Sequence, residues 1–266
     1  MPSVEASLDK AAPSASQIPP EPSSPLPNES HASAPAPRLR SIIPNEKIDP
    51  MVYTWSTLFK CLVGNCTAKE REQYLTARDI AREESDCKRC EDFRDWNFKH
   101  SPTVRFLREQ IRTVGPDLKP ENVHCMRCPW DRKGGFDLNF GILLCANHLT
   151  TRKRLEDTLA HEMVHAYDYL RFEVDPQNLK HQACTEIRAS MLSGECRFLE
   201  EWLHRKQFRI TGKDGMGQFQ ECVRRRAVLS VMARKECKDK EMAESAVRDV
   251  WSSCFGDTRP FDEVYR

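Results

Sequence analysis

The chain has 266 residues, and its 41 Lys and Arg residues nearly balance its 40 Asp and Glu residues. A chain without net charge carries no global signal for nucleic-acid binding, so that class of function is not expected. The uninterrupted apolar runs are short, as in residues 141–146. A membrane-spanning helix needs about 20 apolar residues, so we expect any contact with a membrane to be peripheral.

Residues 1–45 are rich in Pro, Ser and Ala and show no apolar periodicity. This composition predicts a disordered tail in front of one folded domain, residues 46–266. The tail has no Arg before Arg38 and no apolar stretch typical of a secretory signal. It therefore resembles neither a mitochondrial presequence nor a signal peptide.

Apolar spacing and turn signals predict a mostly helical α+β domain with a small sheet. The N-terminal half is predicted to contain helices over 51–59, 68–85 and 101–114, a strand over 123–128, a turn over 131–135 and a hairpin over 136–145. The C-terminal half is predicted to contain helices over 151–172, 181–207, 219–235 and 241–254, with a glycine-rich loop over 210–217. In the irregular last segment, Phe261 and Tyr265 are expected to pack back onto the domain.

The chain contains twelve cysteines, and two pairs have the spacing of a zinc knuckle, namely Cys87-x-x-Cys90 and Cys125-x-x-Cys128. The 34 residues between these pairs exceed the usual spacing in a zinc ribbon. We favour disulfides, because a disulfide framework explains all the cysteines whereas a knuckle explains four. Four cysteines on predicted helices would then join those helices: Cys196, Cys222, Cys237 and Cys254. A structural zinc site and unpaired thiols are the alternatives.

The pattern H-E-x-x-H occurs once, at His161-Glu162-Met-Val-His165. On a helix the two histidines are one turn apart and face the same way, so both imidazoles can bind one zinc ion. Glu162 then lies beside the metal, where it accepts the proton of a zinc-bound water that attacks a peptide bond. Apolar neighbours such as Leu159 and Met163 predict that this helix is buried, where polar groups without partners are costly.

A catalytic zinc site usually has three protein ligands, and this motif supplies two. We favour Glu186 as the third ligand, because it lies on the next predicted helix, with His181 as the second choice. Asp168 shares a helix face with His161 but lies one turn too far along, so we expect it to bind a histidine N–H instead. The alternative for Glu186 is a salt bridge with Arg188 or another neighbouring residue.

Two further stretches have alternative interpretations. The strand over 140–145, just before the motif, either pairs with an extended substrate along its edge or is an ordinary core strand. Arg224-Arg-Arg226 is more typical of a solvated helix face than of a site for acidic lipid headgroups.

Seven strings of residues together resemble one protein family. They are Cys125-x-x-Cys128, Gly134-Gly-Phe136, Gly141-Ile-x-Leu-Cys145, His161-Glu-Met-Val-His-Ala-Tyr-Asp168, Ala183-Cys-Thr-Glu-Ile-Arg-Ala189, Leu192-Ser-Gly-Glu-Cys196 and Cys222-Val-Arg-Arg-Arg226. They resemble the mitochondrial inner-membrane protease and ATP-synthase assembly factor family from about residue 50 to the C-terminus. The fourth and fifth strings, in succession, are the most specific.

The resemblance implies a zinc metalloendopeptidase that uses one Zn²⁺, with His161 and His165 as metal ligands and Glu162 as the catalytic residue. It implies a location on the intermembrane-space side of the mitochondrial inner membrane, where cysteines are oxidised. The implied substrate is the N-terminal presegment of mitochondrially encoded ATP synthase subunit a (subunit 6), and the implied second role is assembly of the Fo sector. Our expectation for the fold is of the zincin type, with the sheet beside the active-site helix.

Two other functions remain open at this point. One is an assembly chaperone for a membrane subunit that acts without proteolysis. The other is a nuclear or cytosolic zincin in which the pairs Cys87/Cys90 and Cys125/Cys128 bind structural zinc.

Overall fold

The computed structural model describes residues 52–129, 131–197 and 217–264. Within these ranges it contains seven α-helices and a three-stranded sheet, so the predicted mostly helical architecture with a small sheet is confirmed. The helices are α1 Trp55–Leu62, α2 Ala68–His100, α3 Pro102–Val114, α4 Arg152–Arg171, α5 Leu179–Leu192, α6 Gln218–Met232 and α7 Lys240–Gly256. The strands are β1 Val123–Met126, β2 Gly134–Asp137 and β3 Gly141–Cys145. The predicted tail, residues 1–45, lies outside the described residues.

Helix α2 is longer than the prediction of 68–85, because it continues to His100. A capping box starts it, in which Thr67 Oγ1 accepts from Glu70 N and the Glu70 side chain accepts from Thr67 N. Residues 68–100 contain no Gly or Pro that would break the helix. The predicted knuckle sequence Cys87-x-x-Cys90 therefore lies in the middle of a helix.

Strand β3 is the centre of the sheet, with β1 parallel on one side and β2 antiparallel on the other. Strand β2 begins at Gly134, so the two glycines predicted to form a turn belong to a strand. Gly141, at the start of β3, has φ +90°, and a Cβ there would lie 2.3 Å from the Asn122 carbonyl oxygen. Only glycine fits this position.

Helix α4 lies in the middle of the domain and packs against α2, α3, α5, β2 and β3. It begins after Thr151, whose hydroxyl accepts from Arg154 N, and its middle part is buried throughout. Helix α5 ends at Leu192, and Gly194 follows with φ +87°. The prediction of one helix over 181–207 is therefore wrong for residues 193–197, and residues 198–216, with the rest of that prediction and most of the predicted loop over 210–217, lie outside the described residues.

Five disulfides are present, so the prediction of a disulfide framework is confirmed. They join Cys61 to Cys66, Cys90 to Cys125, Cys128 to Cys145, Cys184 to Cys254 and Cys196 to Cys222. The alternative four-sulfur zinc site is excluded, because Cys90, Cys125 and Cys128 are all oxidised. The idea that disulfides include all twelve cysteines is wrong, since Cys87 and Cys237 lie outside these pairs.

The irregular segment after α7 returns to the domain. Phe261 is buried, and its ring centroid lies 4.8 Å from that of Phe106 on α3, as expected from the sequence. Tyr265 lies outside the described residues. No helix in the described ranges is both long and apolar enough to cross a bilayer.

Candidate active site

The two histidines of the H-E-x-x-H motif lie one turn apart on α4 and are both buried. Their Nε2 atoms are 3.1 Å apart, and their rings meet edge to face. This geometry follows from the four-residue spacing on a helix. It directs two nitrogen atoms at one point in the interior.

Glu186 on α5 reaches the same point from the neighbouring helix. Its Oε2 atom lies 3.5 Å from His161 Nε2 and 3.7 Å from His165 Nε2. That oxygen is buried and makes no hydrogen bond within the described residues. His181, the other candidate, is exposed, and its Nδ1 accepts a hydrogen bond from Asp175 N at 3.1 Å. The fold thus brings Glu186, and not His181, to the paired histidines.

The His165 ring is held on its Nδ1 side by a chain of two hydrogen bonds. Thr185 Oγ1 donates to Asp168 Oδ2 at 3.1 Å, so its oxygen accepts from His165 Nδ1–H at 2.9 Å. The Nε2 atom of His165 then carries a lone pair that faces Glu186. Asp168 contacts the histidine through Thr185, so the predicted direct contact is wrong.

Asp168 is itself held by Arg188 on α5, with nitrogen–oxygen distances of 2.9–3.1 Å. Arg188 also pairs with Asp257 at 2.9 Å, which ties the end of α7 to the site. The predicted alternative, a salt bridge between Arg188 and Glu186, does not appear among the described contacts, because the guanidinium faces the other two carboxylates.

Glu195 holds the other ring, in a role that the sequence analysis did not predict. Its Oε2 lies 3.2 Å from His161 Nδ1, and the same carboxylate contacts Arg226 on α6. Arg224 in the same run pairs with Glu221 at 3.0 Å. The interpretation of this run as a solvated face is therefore wrong for Arg226. No spacing rule joins residues 161, 195 and 226. The one signal in the sequence was that Glu195 belongs to one of the seven strings that resemble the family.

The carboxylates around the paired histidines make this point favourable for positive charge. Burial acts to lower the pKa of His161, but Glu195 and Glu186 raise it to about 10. Burial lowers the pKa of His165 to about 4. The pKa of Glu186 falls to about 2, because the two histidines outweigh its burial. Burial raises the pKa of Glu162 to about 7.

The three converging side chains fit a zinc ion. His161, His165 and Glu186 offer two imidazole nitrogens and a carboxylate oxygen, all within 4.8 Å of one another. Zinc–ligand bonds of about 2.0–2.1 Å place tetrahedral ligand atoms about 3.3 Å apart. The separations of 3.1, 3.5 and 3.7 Å are close to this value. The unsatisfied Glu186 oxygen and the two facing nitrogens are what a cation would bind.

Strand β2 lies next to Glu162 at the edge of the described sheet. A Cβ on Gly134 would lie 3.2 Å from Glu162 Oε1 and 2.8 Å from the Leu143 carbonyl oxygen. Glycine at this position keeps the space beside the glutamate open. Of the two alternatives for the strand over 140–145, the core strand is confirmed and the substrate-binding edge is wrong, because β3 is paired on both sides.

The sequence profile described as the Peptidase M76 family matches residues 88–262 of the chain. The chain belongs to the peptidase M76 family. The match includes all the site residues described above, and the family resemblance inferred from the seven strings is confirmed. An M76 member is a peptidase, so the chain is a peptidase.

Fungal relatives of this M76 peptidase carry the name mitochondrial inner membrane protease atp23. The protein from Neosartorya fischeri is 56% identical over 213 residues, which cover 80% of this chain and 88% of the relative. The protein from Coccidioides immitis is 51% identical over 79% of this chain and 86% of the relative. The protein from Pyricularia oryzae is 50% identical over 82% of each chain. No solved structure matches the chain.

Proposed function

We propose that this M76 peptidase is a zinc metalloendopeptidase of the zincin type. His161, His165 and Glu186 are its zinc ligands, and Glu162 is its general base. The observation that carries the proposal is the convergence of two imidazole nitrogens and an unpartnered carboxylate oxygen in the interior. A motif helix beside a sheet, with a glutamate from the next helix, supports the zincin assignment.

A zinc ion at these ligands supplies a Lewis acid that polarises the scissile carbonyl and makes water nucleophilic near neutral pH. Glu162 accepts the proton of the attacking water and delivers it to the leaving amine. Glu195 and Thr185 keep the two imidazole rings in place during these transfers.

The outer edge of β2 is where we propose that the substrate binds. An edge strand has unpaired backbone groups that can pair with an extended peptide. Gly134 has no side chain, so the peptide backbone can come close to Glu162 at this point. A substrate paired there would run antiparallel or parallel to β2 with one of its carbonyls near the three ligands.

The proposed substrate is the N-terminal presegment of ATP synthase subunit a, and the proposed second role is assistance in Fo assembly. The family resemblance of the seven strings supports both, and the relatives' names support a location at the mitochondrial inner membrane. Five disulfides support the intermembrane-space side, because disulfides persist in oxidising compartments. They argue against a nuclear or cytosolic zincin with a cysteine knuckle.

Helix α1 offers a surface for peripheral contact with the membrane. Its apolar side chains Trp55, Phe59 and Leu62 lie on one face of the helix, at positions i, i+4 and i+7. All three are 61–76% exposed to solvent. Apolar side chains on one helix face, Trp among them, are typical of helices that lie in the membrane interface. Between residues 52 and 67 the chain has no acidic residue that would repel an anionic bilayer.

The decisive experiment is processing of subunit a by the Glu162→Gln variant in mitochondria that lack the wild-type protein. We expect the precursor to accumulate while the variant stays folded and zinc-bound. Mature subunit a in that strain would refute the proposed mechanism. Assembly of ATP synthase is measured in the same strain. If ATP synthase assembles in this strain although subunit a is not processed, the assembly role depends on the folded protein and not on its peptidase activity.

A further inference from the structure

We propose that Glu195 is a positioning residue for the His161 imidazole, and that the Cys196–Cys222 disulfide together with Arg226 holds it in place. The inference rests on the proposed zinc site, since it concerns the orientation of one of its ligands. It adds a requirement for the oxidised state of one particular cysteine pair.

The carboxylate of Glu195 is almost completely buried and lies behind His161, on the opposite side of the ring from the converging ligand atoms. Its Oε2 lies 3.2 Å from Nδ1, at ion-pair distance, so the charge of the carboxylate favours a proton on Nδ1 and leaves the Nε2 lone pair facing Glu186. A carboxylate in this position fixes the tautomer and the orientation of a metal-binding histidine and makes its nitrogen more basic. Glu195 therefore favours metal binding without contacting the metal.

A buried carboxylate is stable only when its charge is compensated. Arg226 on α6 contacts the Glu195 carboxylate and supplies that charge. The two histidines are thus held differently: His165 by the neutral hydroxyl of Thr185, and His161 by an ionised carboxylate. Loss of the Glu195 charge would leave a cationic guanidinium beside the metal site, which disfavours a second cation.

The backbone at Glu195 is not held by a helix, because α5 ends at Leu192 and the next residues form a turn. The adjacent residue Cys196 is joined to Cys222 on α6, and both are buried. Cys222 lies one helical turn before Arg226 on the same helix. The disulfide therefore fixes the Glu195 segment next to the helix that carries its counter-ion.

The test is the affinity for Zn²⁺ of the purified full-length chain, measured by competition with a chelator. For Glu195→Gln we expect one zinc per chain with an affinity about 10–100-fold weaker than wild type. The matched control is Glu221→Gln, which removes a carboxylate from an arginine pair on α6 outside the site and should bind zinc as wild type does. Glu195→Gln with wild-type affinity would overturn the proposal.

The role of the disulfide is tested with Cys196→Ser/Cys222→Ser and, as a control, Cys61→Ser/Cys66→Ser at the N-terminal disulfide. We expect the first pair to weaken zinc binding as Glu195→Gln does, and addition of Glu195→Gln to cause little further loss. The control pair should bind zinc normally. Unchanged zinc affinity in a folded Cys196→Ser/Cys222→Ser chain would overturn the claim that this disulfide holds Glu195 in place.

The wild-type measurement separates the two proposals. A wild-type chain that binds no zinc would overturn the proposed metallopeptidase itself, and the inference with it. A wild-type chain that binds zinc tightly, beside a Glu195→Gln variant that binds equally well, would overturn the inference alone.

Discussion

The Nε2 atoms of His161 and His165 face each other at 3.1 Å, while both Nδ1 atoms face acceptors on the outer sides of the rings. Two neutral rings so held would direct two lone pairs at one point, and burial withholds water from them. A cation between the rings relieves this conflict, either a proton on His161, whose pKa is raised to about 10, or a metal ion that both rings bind. We therefore expect the stability of the domain to depend on the metal.

Removal of the metal should destabilise the protein, and Zn²⁺ should restore it. Free zinc at about 100 times its dissociation constant should add about 2.7 kcal/mol to the free energy of unfolding. Thermal unfolding with chelator and with added zinc checks this. In Glu186→Gln the response to zinc should be much smaller, whereas His181→Gln, whose side chain is exposed, should respond like wild type. Equal responses of both variants would contradict Glu186 as a ligand.

Glu162→Gln should lower the cleavage rate of a presegment peptide by about 10²–10⁴-fold, the usual contribution of a general base. The amide has the same shape as the carboxyl group but cannot accept a proton from water. Since Glu162 is not one of the proposed zinc ligands, the zinc content should not change. Elemental analysis and a peptide-cleavage assay check the two halves. Glu173→Gln, at an exposed position just after α4, should cleave at the wild-type rate. A similar loss in both variants would point away from a specific role for Glu162.

Gly134→Ala should impair cleavage more than Gly135→Ala does. A Cβ at Gly134 would lie 2.8 Å from the Leu143 carbonyl oxygen and close to Glu162, whereas a Cβ at Gly135 would have no neighbour within 4 Å. The crowded variant should also lose about 1–3 kcal/mol of stability, because the backbone of β3 must shift. Peptide cleavage and urea unfolding of both variants measure this, and equal activity of the two would refute β2 as the substrate strand.

Asp157→Asn should stabilise the domain at neutral and alkaline pH. Burial raises the pKa of Asp157 to about 6 in the folded protein, although Lys153 opposes the shift. The unfolded pKa is about 3.9, so the folded state binds more protons between about pH 4 and pH 6, and stability falls as pH rises through this range. At pH 8 the variant should be more stable by about 1–3 kcal/mol, and below about pH 4 the difference should disappear.

Urea unfolding at pH 4, 6 and 8 follows this dependence. Asp117 is a control of opposite sign, since its hydrogen bond with Arg108 lowers its pKa. Asp117→Asn should be less stable than wild type at pH values above the normal pKa of an Asp carboxyl. At pH values below the lowered pKa of Asp117, the two proteins should be equally stable. If Asp157→Asn is less stable than wild type at pH 8, the stabilising contact with Lys153 is larger than the cost of burying the Asp157 carboxylate.

Trp55→Ser/Phe59→Ser should weaken binding to phosphatidylcholine vesicles that contain cardiolipin by about 10-fold or more, because each side chain contributes about 1.5–3 kcal/mol when fully buried in an apolar phase. Vesicle flotation measures the bound fraction. The control Leu229→Ser changes a 57% exposed apolar residue on α6 and should bind as wild type does. Equal binding of both variants would exclude α1 as the membrane-facing surface.

Features that depend on neighbours along the chain could be predicted from the amino-acid sequence. The period of apolar residues predicted α3 and α4 almost to the residue, because a helix with one buried face repeats every 3.6 residues. The four-residue spacing of His161 and His165 fixed their common orientation for the same reason. The cysteine count indicated disulfides, and the strings around the motif identified the family.

Features that depend on contacts between distant segments became visible only in the folded chain. The fold placed Glu186 and not His181 beside the paired histidines. It also brought Glu195 and Arg226 together next to His161, and it put β2 at one edge of the sheet. It also selected the cysteine pairs, which join positions up to 70 residues apart. Local spacing carries no information about such pairs, because the path of the chain between two elements, set by the packing of the whole core, determines which side chains meet.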